Sequence, residues 1–554
     1  MMGQDSYEKI MMMAKRRGFI FPSFELYGGC AGFYDYGPFG SSLKNNVENL
    51  WRSYFLLRDN CVEVSTPALT LFEVLDASGH VKEFTDLTVD CSKCSQSFKV
   101  EDIMPDEPGL LPEDAVSQGR VVCPSCGEVL GDAHDVNLMF QSKVGYGNAR
   151  DVFLRPETAQ GIFTNFHLLY RLMREKLPFG VIQVGRGYRN EISPRQGMLR
   201  QREFNMAEAE IFFDPQNKSH PSFSKIEDEV LLLFDNKDEL KLSAKDAVSQ
   251  GVVNNEALAY YMWMAQDFLL SIGIDPKKFR FRKHADDELA HYALECWDVE
   301  LFSERFGWVE CVGIADRSAF DLSAHDEASG VEMKALRKFE EPKVVHVRRI
   351  VPAMGKLGPL FKGDAGRVKE LLEDLDPPSG DGPVSVVLDG KSVQIPSDCF
   401  EIIERDERVA GEKFLPHVVE PSFGVDRIIY MLLEHCFVEE EKNGELYRVL
   451  RFPARVAPVK VGVFPLIADE KLSKVASDID ENLRKAGLKS VFDSGGTIGR
   501  RYARMDEVGT PFCVTVDFDS LEDEMVTVRL RDTAEQKRIK IAEVVGHLKE
   551  LVGC

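Results

Sequence analysis

The stretch Val181–Phe213 constrains this chain more than any other. It reads Val-Ile-Gln-Val-Gly-Arg-Gly-Tyr-Arg-Asn-Glu, then Ile-Ser-Pro-Arg-Gln-Gly-Met-Leu-Arg-Gln, then Arg-Glu-Phe-Asn-Met-Ala-Glu-Ala-Glu-Ile-Phe-Phe. Two β-compatible runs flank a segment holding Pro194 and Gly197, the pattern of strand, loop, strand. A side-chain period of two puts Arg189 and Glu191 on one face of the first strand. It puts Arg202, Phe204, Met206, Glu208 and Glu210 on one face of the second. Buried charges cost several kcal/mol unless paired, so such a face is poor core material. Spacing alone leaves two readings open, a solvated hairpin with surface ion pairs or the wall of a polar site.

A chain of 554 residues spans several domains and can bury sizeable cores. Hydrophobic content of 44% and charged content of 29% suit a globular protein. The net charge of -23 excludes a uniformly basic surface, though a local stripe of Arg and Lys can still meet a nucleic acid. Lys15, Arg16 and Arg17 follow a Met-rich start, but no long apolar run or cleavage signal comes after them, so neither a signal peptide nor a membrane span is expected.

Four of the twelve cysteines form two Cys-x-x-Cys pairs, Cys91/Cys94 and Cys123/Cys126, with 28 residues between the pairs. Each pair suits a tight knuckle presenting two thiolates, and four sulfurs suit a tetrahedral structural Zn2+. The other cysteines are scattered, which fits a reducing cytoplasm better than a disulfide scaffold. The spacer is long and partly acidic, and a metal-free redox or degenerate site is the alternative.

Helical spacing marks Ser6–Arg17, Ser41–Arg58 and Glu256–Leu270, and a helix is expected from Thr158 to about Leu177. Strands are expected at Cys61–Ser65, Arg280–His284 and Trp308–Arg317, the last carrying Glu310 among apolar neighbours. A segment from about Glu340 to Lys413, broken at Pro377–Pro383, reads as an appended module with no assignable chemistry. The charged run Glu439–Glu445 reads as a solvated connection. Beyond Arg455, strands such as Val459–Phe464 and Phe512–Asp517 alternate with helices at Glu470–Ala486 and Thr497–Val508, indicating a mixed or parallel sheet.

Several of these segments resemble one family. The Arg-x-Glu strand and the returning Arg-Glu-Phe-x-Met-Ala-Glu resemble motif 2 of the class II aminoacyl-tRNA synthetases in their glycyl, archaeal/eukaryotic-type homodimeric form. Glu420-Pro-Ser-Phe-Gly-Val-Asp-Arg427 resembles motif 3. The helix, strand and Thr66-Pro67 resemble motif 1, and Gly28–Pro38 resembles the opening signature. The resemblance implies a multidomain α+β and α/β fold. An antiparallel-sheet catalytic core would run through 1–84, 151–214, 276–339 and 414–450. It would be interrupted by a zinc-ribbon-like insertion at 85–150 and by insertions at 215–275 and 340–413, and followed by an anticodon-binding domain at 455–554. An N-terminal helical hairpin carried by many eukaryotic cytosolic members has no counterpart here, which implies an archaeal or bacterial source.

For function, the resemblance implies a cytoplasmic homodimeric enzyme that joins glycine to its tRNA with ATP and Mg2+. Catalytic roles fall to Arg189, Glu191 and Arg427. The ATP site would add Asn190, Arg200, Gln201, Glu310 and Cys311, with magnesium held partly by Glu310. Glu157, Glu208, Glu420, Pro421 and Ser422 match the glycine pocket. Arg500, Arg501 and Arg504 on the C-terminal helix are expected to meet tRNA, with a plain charged helix face as the alternative. Two other functions remain: an inactive relative that binds nucleic acid, and a class II synthetase for another small amino acid.

Overall fold

The computed structural model describes residues 2–553, apart from 106, 108, 195, 235–237, 286–287, 291, 379, 381, 389–390 and 443. Met1–Met333 and Leu415–Cys554 make one compact unit, and Lys334–Phe414 makes a second.

The first unit is organised on a nine-stranded sheet. Its strands are β1 (Cys61–Glu63), β2 (Phe179–Tyr188), β3 (Glu203–Phe213), β4 (Val230–Phe234), β5 (Glu239–Ser243), β6 (Phe279–Lys283), β7 (Glu295–Ser303), β8 (Gly307–Ser318) and β9 (His417–Gly424), in spatial order β5-β4-β6-β7-β8-β9-β3-β2-β1. All neighbours run antiparallel except β4 with β6 and β2 with β1. The stretch 215–275, expected as an insertion, is therefore partly core: β4 and β5 extend the sheet, and helix Glu256–Ile272 lies under it.

Period-two alternation decides what each face of β3 carries. Ala207, Ala209, Ile211 and Phe213 enter the main core, while Phe204, Met206, Glu208 and Glu210 point to the opposite face. Helix Pro38–Arg58 starts on proline and places Leu43, Val47, Trp51, Tyr54 and Phe55 against that core. Trp51 meets Phe423 edge to face at 5.7 Å. Burying side chains of this size stabilises the fold by roughly 1.5–3 kcal/mol each.

Three local expectations are corrected. Strand β2 stops at Tyr188, so Arg189 and Glu191 do not share a strand face. The Arg189 N–H still reaches Arg202 O (3.0 Å), but that of Glu191 folds back to Arg189 O (2.7 Å), ending the ladder. The helix expected from Thr158 to Leu177 is two short ones, Ala159–Phe163 and Phe166–Leu172. Thr164 and Asn165 between them direct their side chains to the carbonyls of Gln160 and Gly161, at 3.0 and 2.8 Å, competing with helix propagation. The run Glu439–Glu445 is no loose connection: Phe437–Lys442 pairs with Glu445–Leu450, Glu439 is held by Lys9 and Arg448, and Tyr447 donates to Asp506.

Beyond it lies the expected mixed sheet, ordered Ser490–Phe492, Val461–Pro465, Phe512–Val516, Met525–Leu530, Gln536–Lys540, parallel among the first three and antiparallel after. Helices Glu470–Lys485 and Ile541–Val552 close its separate apolar core. The second unit pairs Ala335–Pro352 with Phe400–Phe414 and packs two helices and a hairpin around Leu357, Val368, Leu372 and Ile395. Ser379 and Asp381 of its Pro377–Pro383 break lie outside the described residues. Among the described residues, no helix is long and apolar enough to cross a membrane.

Candidate functional site

The polar face of the sheet opens into a cavity of about 390 Å3. Arg189, Glu191, Arg200, Gln201, Glu310, Cys311, Ser422 and Arg427 all line it, although Arg189 and Arg427 are 238 positions apart in sequence (427 − 189). Asn190 does not line it. That residue is exposed, and its N–H is used on Leu138 O at 2.6 Å.

The arginines are held in place before any anion arrives. Arg189 lies between the rings of Phe84 and Phe204, 5.2 and 5.3 Å from their centroids, with Nε near Pro156 O. Arg427 donates to Leu199 O (3.1 Å) and Glu310 O (2.7 Å), and approaches Glu310 Oε2 at 3.2 Å. Glu310 lies on β8, within the strand expected at Trp308–Arg317, and projects into the cavity with half its side chain exposed. Burial among cleft walls disfavours its charge, but Arg427 and Arg189 outweigh that and hold its carboxyl below the usual range. Glu191 goes the other way, raised by burial despite Arg200 at 3.9 Å.

Ser422 connects this cavity to a closed acidic pocket. Its Oγ donates to Glu208 Oε1 (2.9 Å), and Thr158 N–H and Oγ1 donate to the other oxygen. Beside them Glu157 accepts from Gln160 Nε2 (2.9 Å) with His80 at 3.5 Å, and Glu420 accepts from Arg317 (2.8 Å). Arg317 also grips Asp321 through two bonds of 2.9 and 3.1 Å. Burial opposes charge on Glu157, yet His80 and Arg317 hold its carboxyl well below the usual range. Burial and the charge of Glu157 raise Glu208, and burial brings Glu420 to about 7 against the pull of Arg317. Several carboxylates facing one guanidinium leave a small, negative enclosure suited to a compact cation. Pro421 sits on β9 between Glu420 and Ser422, its side chain out of the hydrogen-bond set.

The sequence offers little local signal for several supports of these walls. Thr158, Gln160, Arg317 and Asp321 build the pocket. Asp426 accepts from Asn205 N–H (2.7 Å), Asn205 Nδ2 (2.9 Å) and the Tyr36 hydroxyl, tying the Gly28–Pro38 segment to the cavity floor. Gly32 in that segment has φ +79°, and a Cβ there would meet Pro194 at 2.8 Å. An acid directly before Arg427 and a buried-strand Arg317 were the available clues.

The description "tRNA synthetase class II core domain (G, H, P, S and T)" matches residues 143–325, and "Anticodon binding domain" matches 455–551. Glycine–tRNA ligase of Methanocaldococcus jannaschii is 43% identical over 577 aligned positions, covering 99% of each chain. That of Archaeoglobus fulgidus is 45% identical, covering 98% of this chain and 96% of its own. The chain belongs to the glycine–tRNA ligase family. A prolyl-tRNA synthetase structure from Cryptosporidium parvum shares the fold, with TM-score 0.51 and 14% identity over 98% of this chain and 75% of that one.

Within this member of the glycine–tRNA ligase family, the four paired cysteines converge. Cys91 Sγ lies 3.5 Å from Cys126 Sγ, Cys94 Sγ lies 3.6 Å from Cys123 Sγ, and all four sulfurs fall within 4.8 Å of one another. Tetrahedral zinc–sulfur bonds of about 2.3 Å set sulfurs roughly 3.8 Å apart, so the donor set fits zinc. Two knuckles make the arrangement, with Ser95 N–H on Cys91 O (2.8 Å) and Gly127 N–H on Cys123 O (2.9 Å). The N–H of Cys94 and, against burial, that of Lys93 bring the Cys91 thiol down to about 7.

The C-terminal arginines separate. Arg501 is 1% exposed, and its guanidinium donates to the carbonyls of Pro465, Leu466, Asp493 and Gly496. It is a structural strut, not a contact for phosphate. Arg504 is bound to Asp493 and to Gly495 O. Arg500 alone of the three is exposed.

Proposed function

We propose that the protein activates glycine with ATP and transfers it to the terminal adenosine of a glycine tRNA. The observation that carries this reading is Ser422, which lines the arginine-walled cavity while donating to Glu208 of the acidic pocket. One residue thus joins a site for phosphates to a site for an ammonium, and the α-carboxylate of a bound amino acid falls between them.

The chemistry follows from charge. A carboxylate attacking the α-phosphorus of ATP brings two anions together. Arg189, fixed between two rings, takes the α-phosphate, and Arg427 takes the terminal phosphate. Such preorganised guanidinium forks stabilise charge as it develops. Glu191, with Arg200 beside it, receives the adenine amino group. Glu310 lies in the same cavity as a charged, half-exposed carboxylate, which suits magnesium; that ion, when bound, offsets phosphate charge. Cys91, Cys94, Cys123 and Cys126 hold a closed structural zinc.

Selectivity needs only steric exclusion. Glu157, Glu208 and Glu420 attract the ammonium and fill the space where a side chain would project. One methylene changes binding by roughly 1–3 kcal/mol, and glycine has no smaller competitor. The C-terminal domain grips the tRNA, with Arg500 as its exposed cation on the Ile498–Val508 helix. We further infer a homodimer through helix Pro38–Arg58 and edge strand β1, working in a reducing cytoplasm. ATP–pyrophosphate exchange over a panel of amino acids tests the reading: exchange is expected with glycine, and exchange with alanine or serine instead would overturn it.

A further inference from the structure

Glu210 is fully buried, and among the described residues no donor reaches either of its carboxyl oxygens. Two positions along β3 from Glu208, it lies on the same face and at the depth of Glu420 in the neighbouring strand, since Ile211 pairs with Val419 and Glu208 with Ser422. Opposed positions on adjacent antiparallel strands have Cβ atoms about 5 Å apart, within carboxyl reach of each other. The charged groups facing it are Glu420, Arg317, Glu208 and Asp321. Three of these four are acidic. Arg317 is already committed to Glu420 and Asp321. Asp321 also accepts from Gln160 (2.9 Å).

A buried carboxylate without a donor is strongly disfavoured, whereas a buried carboxylic acid needs only one acceptor. Glu420 offers one, because among the described residues Arg317 donates to its Oε2 and no donor takes the other oxygen. We propose that Glu210 is a positioning residue for amino-acid selection: as the neutral acid it donates its single hydrogen bond to Glu420 and fixes the orientation of that carboxylate toward the substrate ammonium. Burial, then the charge of Glu420, both raise Glu210 well above the usual carboxyl range. The pocket thereby gains a donor at its floor without a further negative charge, so its carboxylates are not forced apart by repulsion.

The inference rests on the glycine reading, and the test keeps the two apart. Wild-type protein without glycine-dependent exchange would remove the functional reading. With exchange established, Glu210→Gln retains a neutral donor of the same shape, and glycine KM is expected to stay within about threefold of wild type. Glu210→Leu removes the donor, and glycine KM should rise at least about tenfold while ATP KM holds. Glu208→Gln serves as the control that removes an ammonium ligand. A Glu210→Gln variant as impaired as Glu208→Gln would make Glu210 a charged ligand and overturn the proposal, as would an unaffected Glu210→Leu. Should the leucine variant fail to fold, difference infrared spectra decide. A protonated-carboxyl band present in wild type and lost in Glu210→Gln is expected, and its absence from wild type would overturn the assignment.

Discussion

Arg200 of the arginine-walled cavity donates through Nη1 to Asp102 of the cysteine module at 2.7 Å. The module adds a second tie, Ser193 Oγ to Ser97 O at 2.9 Å, and its Asp86 and Lys99 stand in the cavity wall. The insertion therefore forms one wall of the arginine-lined cavity. On the proposed reading, metal retention and ATP binding should be coupled through that wall.

Metal removal follows from this coupling. Purified protein should carry close to one zinc per chain, and Cys94→Ser or Cys123→Ser should lose it. Zinc binding supplies much of the folding energy of such a module, so the variants should unfold locally, which hydrogen exchange over 85–137 would register. The Arg200–Asp102 pair is partly exposed and worth about 0.2–1 kcal/mol. ATP KM should accordingly rise by no more than about fivefold for Asp102→Ala, a smaller effect than for metal loss.

Pocket and cavity variants should divide between KM and kcat. Glu208→Gln turns a charge-assisted bond to the ammonium into a neutral one, a loss on the order of 1–3 kcal/mol that appears in glycine KM. Arg189→Ala should lower kcat, because its partner charge grows in the transition state. Exchange kinetics with glycine and ATP varied in turn would show a different pattern if either role were wrong.

Glycine KM should depend on pH with a definite sign. Glu420 must be ionised to attract the ammonium, and its carboxyl is raised to about 7. Below that pH the protonated form dominates and glycine must expel a proton to bind. Between pH 8 and pH 6, glycine KM should increase roughly tenfold. A flat profile over that interval would contradict Glu420 as a ligand.

The arginines of the C-terminal helix should behave differently from each other. Arg500→Ala should raise tRNA KM and flatten its salt dependence, since a lost phosphate contact releases fewer counterions. Arg501→Ala strands several buried carbonyls at about 1–3 kcal/mol each, and should lower the melting temperature of the domain by on the order of 10 °C or more. Calorimetry beside charging assays separates these outcomes.

Truncation tests the modules. Leu450, Phe452, Val456 and Ala457 belong to the main core, and Asn46 holds the carbonyls of Val456 and Ala457. A chain ending after Pro458 should keep glycine-dependent exchange and lose most tRNA charging. Its stability should fall, because Arg16 and Arg17 lose Glu507 and Tyr447 loses Asp506. Full charging by a folded truncation would refute the role given to the domain.

What the sequence determined was local. Spacing in helix Pro38–Arg58 set its buried stripe, two Cys-x-x-Cys knuckles set four sulfurs in pairs, and β/α alternation set the C-terminal sheet. The stretch around Arg189 and Glu208 stood out because charges on a strand face make poor core, and the one around Glu420 and Arg427 stood out through its resemblance to motif 3. Other properties depended on neighbours hundreds of positions away. Glu310 faces a cleft because β9 and Arg427 lie beside β8; Glu210 lacks a donor because β3 pairs with β9 in a particular register. Arg500 and Arg501 are adjacent and chemically identical, yet one meets solvent and the other four carbonyls. Burial and charge state are properties of the packed environment, and that environment is decided by strand order and register and by which distant side chains pack alongside, none of which one local segment encodes.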